Sequence, residues 1–131
     1  MPPTELKVKN IPLFRLRPTE PILSESGLQR IARKHKKDPS SVLPIDVYDD
    51  GNGNYLIDNG NHQAVFCHLA GNSRIKVYVW DDPDTAKDLE ILAERALDLS
   101  GVKSIADLAQ KVYSARDYRR LINQLEAYYQ A

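Results

Sequence analysis

The chain reads as an α+β protein: a small mixed sheet with short helices, followed by a C-terminal helical segment. Three observations lead there. Residues 45–47 and 75–79 alternate apolar with polar side chains, the period of a half-buried strand. Asp49–Asp50–Gly51–Asn52–Gly53–Asn54 is a dense turn signal between two extended runs, as in a hairpin. From residue 84 onward, apolar side chains recur at helical spacing. The length of 131 residues suffices for a core without staples, and the 42% apolar and 27% charged fractions are ordinary for a globular chain.

Each element follows from local chemistry. Ile11–Pro12–Leu13–Phe14–Arg15–Leu16–Arg17–Pro18–Thr19 is extended, because its prolines disfavour helix on either side. A helix is expected from Ser24 or Ser26 to about Lys37. Leu28, Ile31 and Ala32 form its buried face, and Arg30, Arg33, Lys34, Lys36 and Lys37 form the other. Asp38–Pro39–Ser40–Ser41 ends it. Val42 to Tyr48 is the first hairpin strand, with Pro44 at its start or on an edge. Tyr55 to Asp58 is the second.

Asn59–Gly60–Asn61 then opens a short helix from His62 to Ala70, with Val65, Phe66 and Leu69 toward the sheet and Gly71–Asn72 as the stop. Ile75, Val77 and Val79 mark a strand expected to return beside its predecessor through a crossover. Asp82 caps the next helix, with Pro83 in its first turn. Leu89, Leu92, Ala93, Ala96 and Leu97 form its stripe, which Gly101 breaks. Ser104 restarts a helix carrying Ile105, Leu108, Ala109 and Val112. Ser114 with Asp117 resembles a capping box ahead of Tyr118, Leu121, Ile122, Leu125 and Tyr129. The two helices within Ser104 to Gln124 are not expected to form a helix-turn-helix, because Val112–Tyr113 stands where its turn glycine would be. Residues 1–82 are expected to form one unit, and 83–131 a helical extension packed on it or used for a homodimer contact.

The balance of 18 basic against 18 acidic residues creates no global field for nucleic acid or membrane. A local contact remains open: Arg30, Arg33, Lys34, Lys36 and Lys37 are the candidate nucleic-acid-binding face. A single cysteine, Cys67, cannot form an internal disulfide and is expected to be a buried, inert thiol. One cysteine and three histidines do not suggest structural zinc. No apolar run approaches the ~20 residues of a membrane span, and the first ten residues lack an apolar signal core. The expectation is a cytoplasmic, non-membrane protein.

The turn at 58–63 carries the chemistry. A strand, an Asn-Gly-Asn turn and a helix leave backbone N–H groups without intrahelical partners. Such a start suits an anion, above all phosphate. Asn59, Gly60, Asn61, His62 and Gln63 are therefore the candidate phosphate- or nucleotide-binding residues. Asp58 would repel phosphate unless it holds a divalent metal, orients His62 or takes a proton from a hydroxyl. Asp58 and His62 are the candidate catalytic residues, with Asp58 as metal ligand. Glu20 is a second acid if the N-terminal segment folds over the helix start. The simpler reading is an ordinary helix capped by Asn59 or Asn61.

In order along the chain, several segments resemble the ParB/sulfiredoxin-type domain, often labelled ParB-like nuclease. They are Ile11–Pro12–Leu13 through Thr19, the Leu43–Pro44–Ile45–Asp46–Val47 strand, and Tyr55–Leu56–Ile57–Asp58–Asn59–Gly60–Asn61–His62–Gln63–Ala64. Leu69–Ala70–Gly71 and Ile75 to Val79 complete the set. Residues 11–80 are covered. The resemblance implies a ParB/sulfiredoxin-type sheet, binding of ATP or CTP with Mg, and nuclease or phosphotransfer activity at the 58–63 loop. By position Gly60 is the turn glycine and His62 the motif histidine. Two departures stand out. Gln63 replaces the usual arginine and its bidentate charge. Asn61 stands where sulfiredoxin has its catalytic cysteine, and Cys67, on a different helical turn and expected to face inward, does not replace it. A non-catalytic interaction module is the alternative reading, and DNA binding through the 30–37 face is another.

Overall fold

The computed structural model describes residues 7–35, 37–38 and 42–130. Lys36, the 39–41 stretch and the Tyr129 side chain, all named above, lie outside what it describes. The elements in order are β1 (Lys7–Pro12), a 3-10 turn (Leu13–Arg15), β2 (Leu16–Arg17), β3 (Leu23–Ser24), α1 (Glu25–His35), β4 (Ile45–Asp49), β5 (Tyr55–Asn59), α2 (Asn61–Leu69), β6 (Arg74–Trp80), α3 (Pro83–Ser100), α4 (Ile105–Ala109), β7 (Val112–Tyr113) and α5 (Ala115–Gln130).

The architecture is mixed α+β. The main sheet runs β1-β6-β4-β5-β2, and a small second sheet pairs β3 with β7. β4 and β5 form the expected antiparallel hairpin, with an irregularity at Asp46/Val47. β6 does not return beside β5. It lies parallel to β4, Ile45 opposite Val77, and antiparallel to β1. The crossover through α2 therefore passes over the hairpin's first strand. β4 is consequently interior, and Pro44 sits just before its first paired residue, where a missing N–H costs no ladder bond.

One face of the sheet carries Ile45, Val47, Tyr55, Ile57, Ile75 and Val77 against Ala64 and Val65 of α2. The same cluster includes Ala96, Val102, Ile105 and Leu108, so the C-terminal segment contributes directly to the main core. The other face holds a smaller cluster of Leu56, Leu89 and Ala93 with Tyr48 beside it. α3 thus covers the back of the hairpin. Asp82 caps it, accepting from Asp84 N–H at 3.1 Å and from the Thr85 hydroxyl, and Gly101 ends it in a left-handed conformation at φ 70°.

Some expected core positions are outside. Leu69 is 59% exposed, because α2 ends there and its last turn overhangs the sheet. Leu92 and Leu97 lie on the solvent side of α3, whose contact stripe narrows to Leu89, Ala93 and Ala96. Val112 leaves the helix for β7, since pairing with Leu23 satisfies its backbone. Cys67 is buried, and burial pushes its thiol pKa up, toward the inert protonated form. Among the described residues, no helix is long and apolar enough to cross a membrane.

Candidate functional site

Gly60 is the N-cap of α2, and its φ of 133° is a conformation that side chains rarely adopt. The glycine is also needed for space: a Cβ there would lie 2.5 Å from Ile45 Cγ2. This close approach seats the helix start directly on β4. The first intrahelical bond runs from Ala64 N–H to Gly60 O at 2.9 Å, and no side chain caps this end. The N–H groups of Asn61, His62 and Gln63 thus precede the intrahelical ladder.

The predicted loop residues separate into distinct surroundings. Asn61, only 6% exposed, turns inward. Its Oδ1 accepts from Thr19 N–H at 3.1 Å, and its Nδ2 donates to Thr19 Oγ1 at 3.1 Å. Thr19 Oγ1 in turn donates to Ile57 O at 2.7 Å. The N-terminal segment does fold over the helix start, and Asn61 is the clasp that holds it there.

His62 packs under the first turn of α1, so close that a Cβ on Gly27 would fall 2.7 Å from its Nε2. That nitrogen is buried without a partner. Burial lowers the His62 pKa, nearby Arg30 lowers it further, and a bond with the Ser24 backbone partly offsets both. The imidazole is therefore neutral at neutral pH.

Asp58 is exposed, and strand alternation puts it on the face of Leu56 and Tyr48, the side covered by α3. Its charge raises the Tyr48 pKa, after the larger effect of burial. Asn59, one residue on, points to the α2 side. Glu20 has a buried Oε2 without a partner, and its charge is felt by Tyr118 of α5. Asp58, His62 and Glu20 therefore have three different sets of neighbours. Among the described residues, no group of three or more His, Cys, Asp or Glu side chains is arranged to hold a metal ion.

What the fold does bring together is a groove of about 350 Å³ between α1 and the start of α2. Arg30 and Lys34, one helical turn apart on α1, line it opposite Asn59 and Gln63. Ile31, Val42, Leu43 and Pro44 form an apolar side. Asp46 reaches its rim, but its carboxylate accepts from Trp80 Nε1 at 2.8 Å. Of the other expected basic residues, Arg33 Nε donates back to Gln29 O and Lys37 is exposed. The link between Arg30, Lys34 and the 58–63 loop was missed from sequence, although their four-residue spacing was its visible trace.

A larger cleft of about 540 Å³ lies on the α3 side, between the hairpin turn and the start of α3. Asp49, Asp50, Asp81 and Asp82 line it with Tyr48 and Trp80, a sign of charge that repels phosphate.

No family model matches the chain, and no curated protein matches it. A solved structure, that of protein Atu1540 from Agrobacterium tumefaciens, is similar at a TM-score of 0.54 with 10% identity, covering 84% of this chain. The match spans 63% of that protein's chain. At this identity the likeness extends to the fold alone: a mixed sheet with short helices and a C-terminal helical segment.

Proposed function

We propose that the protein binds a phosphate-bearing ligand, a nucleotide by preference, in the groove between α1 and the start of α2. The observation that carries this reading is the placement of Arg30 and Lys34 across one groove from Gln63 at an uncapped helix start. Two cations and oriented backbone N–H groups favour the same anion. The apolar side at Ile31, Val42 and Leu43 suits a base or sugar face. The ordered ParB/sulfiredoxin resemblance of residues 11–80 supports the same assignment. Arg30 and Lys34 would supply the positive charge that Gln63 does not.

The reading is one of binding. Nuclease or phosphotransfer chemistry would need Asp58, His62 and Glu20 to converge, and their surroundings differ. The Thr19–Asn61 clasp favours a second reading, a non-catalytic interaction module, because a segment of the same chain already occupies one side of the helix start.

Calorimetric titration with ATP, CTP and GTP, with and without magnesium, separates the two. Saturable heat that Arg30→Gln with Lys34→Gln abolishes is the expected result. No heat with any nucleotide leaves the interaction module. A plasmid-nicking assay across divalent metals tests the catalytic extension, and cleavage surviving Asp58→Ala with His62→Ala would rule these residues out as its centre.

A further inference from the structure

α1 is lightly held. None of its residues from Glu25 to His35 is fully buried, and its apolar side, Leu28, Ile31 and Ala32, is only half covered. It packs on α2 and on β3. Two contacts mark its ends. Near its C-terminus His35 meets Phe66 of α2, ring centroids 6.4 Å apart. Near its start Gly27 lies on His62 with no room for a side chain, since a Cβ would fall 2.7 Å from Nε2. That nitrogen is buried and has no hydrogen-bond partner, while a bond with the Ser24 backbone holds the ring.

A neutral imidazole tolerates this seat, because its unprotonated nitrogen forgoes only one accepted bond. An imidazolium does not. Its Nε2 proton would be a buried donor with nothing to receive it. Its charge would sit in the first turn of α2 and beneath the first turn of α1, where both helices present the positive ends of their dipoles. It would also face Arg30, on a helix that carries Arg33 and Lys34 as well. The acids of the neighbouring elements are committed elsewhere. Glu25 of α1 accepts from Gln29 at 3.1 Å, Asp107 of α4 accepts from Lys103 N–H at 3.2 Å, and Glu20 of the N-terminal segment acts on Tyr118 of α5. β3 presents the Ser24 backbone and hydroxyl, and β6 contributes apolar Ile75 and Val77. On α2 itself His68 is exposed at the far end.

We infer that α1 is an acid-released flap over the start of α2, latched by the neutral His62 imidazole beneath Gly27. Above about pH 6.5 the imidazole is neutral whether α1 is docked or not, and the flap is closed. As pH falls through that value, the undocked form takes up a proton that the docked form excludes. The equilibrium constant for undocking then rises by up to about tenfold per pH unit. The rise stops below the docked-state pKa, where both forms carry the proton. Arg30 and Lys34 travel with α1, so release takes both cations away from the start of α2. That consequence rests on the ligand reading above, and the release itself does not.

Native-state hydrogen exchange of the full chain, corrected for intrinsic rates, tests the release between about pH 7.5 and about pH 5. Protection of the amides from Gln29 to His35 should fall by up to about tenfold per pH unit, while Val77 in the interior strand β6 keeps its protection. His62→Asn, which does not titrate, should abolish the pH dependence. His35→Gln, at the other titratable contact, should leave it in place. Gly27→Ala probes the latch at constant pH. On helix propensity alone it would raise protection about fivefold. Against His62 its Cβ meets Nε2, so protection should fall in the wild-type background and rise in the smaller His62→Asn background. Should His62→Asn not fold, the wild type decides: by nuclear magnetic resonance the His62 ring and the α1 amides should titrate with one midpoint, below about 6.5. Protection of α1 that is indifferent to pH, a pH dependence that persists in His62→Asn, a parallel loss at Val77 or separate midpoints would overturn the inference. Nucleotide calorimetry at the two pH extremes is read separately. Heat that falls in acid together with α1 protection extends the release to the groove, and undiminished heat denies that extension. Absence of heat at every pH strikes the ligand reading, and the exchange data still decide the flap.

Discussion

Glu20 and Gly60 show how much one residue's surroundings decide. Glu20 carries a carboxylate oxygen shut off from water with no donor, and burial raises its pKa above the ordinary 4.5. The folded state therefore holds the proton more tightly than the unfolded chain. Its contribution to stability is intact below about 4.5 and is lost as pH rises through the folded value. Glu20→Gln keeps the shape and removes the charge. Near neutral pH the variant should be more stable by about 1 kcal/mol, and the gain should vanish in acid. Denaturant melts of both proteins at a series of pH values check this, and a pH-independent difference would show that the charge is not the cause. Gly60→Ala should act in the opposite sense. It combines an unfavourable φ with a Cβ 2.5 Å from Ile45, and should cost at least about 2 kcal/mol. A denaturant midpoint indistinguishable from wild type would mean that β4 and the helix start move apart easily.

At the scale of elements, the joint between α2 and the N-terminal segment rests on one side chain. Asn61 both accepts from Thr19 N–H and donates to Thr19 Oγ1, whose own proton is committed to Ile57 O. Asn61→Asp is nearly isosteric yet should destabilise by about 2 kcal/mol, because a carboxylate then faces a hydroxyl oxygen with no proton to offer. Asn61→Ala should cost a similar amount by orphaning the buried Thr19 N–H, and hydrogen exchange at that amide should accelerate more in this variant than in Asn61→Asp, whose Oδ1 still accepts from it. This joint was not legible in the sequence. Asn61 looked like a cap or a ligand group because its partner is 42 residues away and nothing local announces it. The hairpin, α2 and β6 were legible, since alternation and turn residues act over short range. β2, β3 and β7 were not, because a two-residue strand has no period. β1 also escaped, because Lys7 to Asn10 are exposed on an edge and carry no burial pattern. Leu92 and Leu97 fitted the helical stripe of α3 equally well, and only the sheet's actual contact line selects Leu89, Ala93 and Ala96.

At the scale of the whole molecule, the helices after residue 82 share one core with the sheet before it. Ala96, Val102, Ile105 and Leu108 belong to the same cluster as Val47, Ile57 and Val65, and Leu89 and Ala93 seal Leu56 on the other face. Arg17 ties the N-terminal segment to both the hairpin turn and α3, through Asp50 at 3.3 Å and through Glu90. β3 from the first half pairs with β7 from the second. Cutting the chain at 82 would strip the partners from all of these at once. Four large apolar side chains, Leu89, Val102, Ile105 and Leu108, each contribute about 1.5–3 kcal/mol when buried. Their sum is comparable with the ~5–15 kcal/mol by which a domain of this kind is stable. Residues 1–82 alone should therefore lack a cooperative melt and bind a dye for exposed apolar surface, while the full chain unfolds in one transition seen alike by circular dichroism and by Trp80 fluorescence. A sharp transition and dispersed amide resonances from residues 1–82 would show instead that the sheet and α2 hold their own core and that the helices are an addition to it. The outcome also bears on the groove between α1 and α2, because α4 packs against α2 and so helps hold the helix start that the proposed ligand would meet.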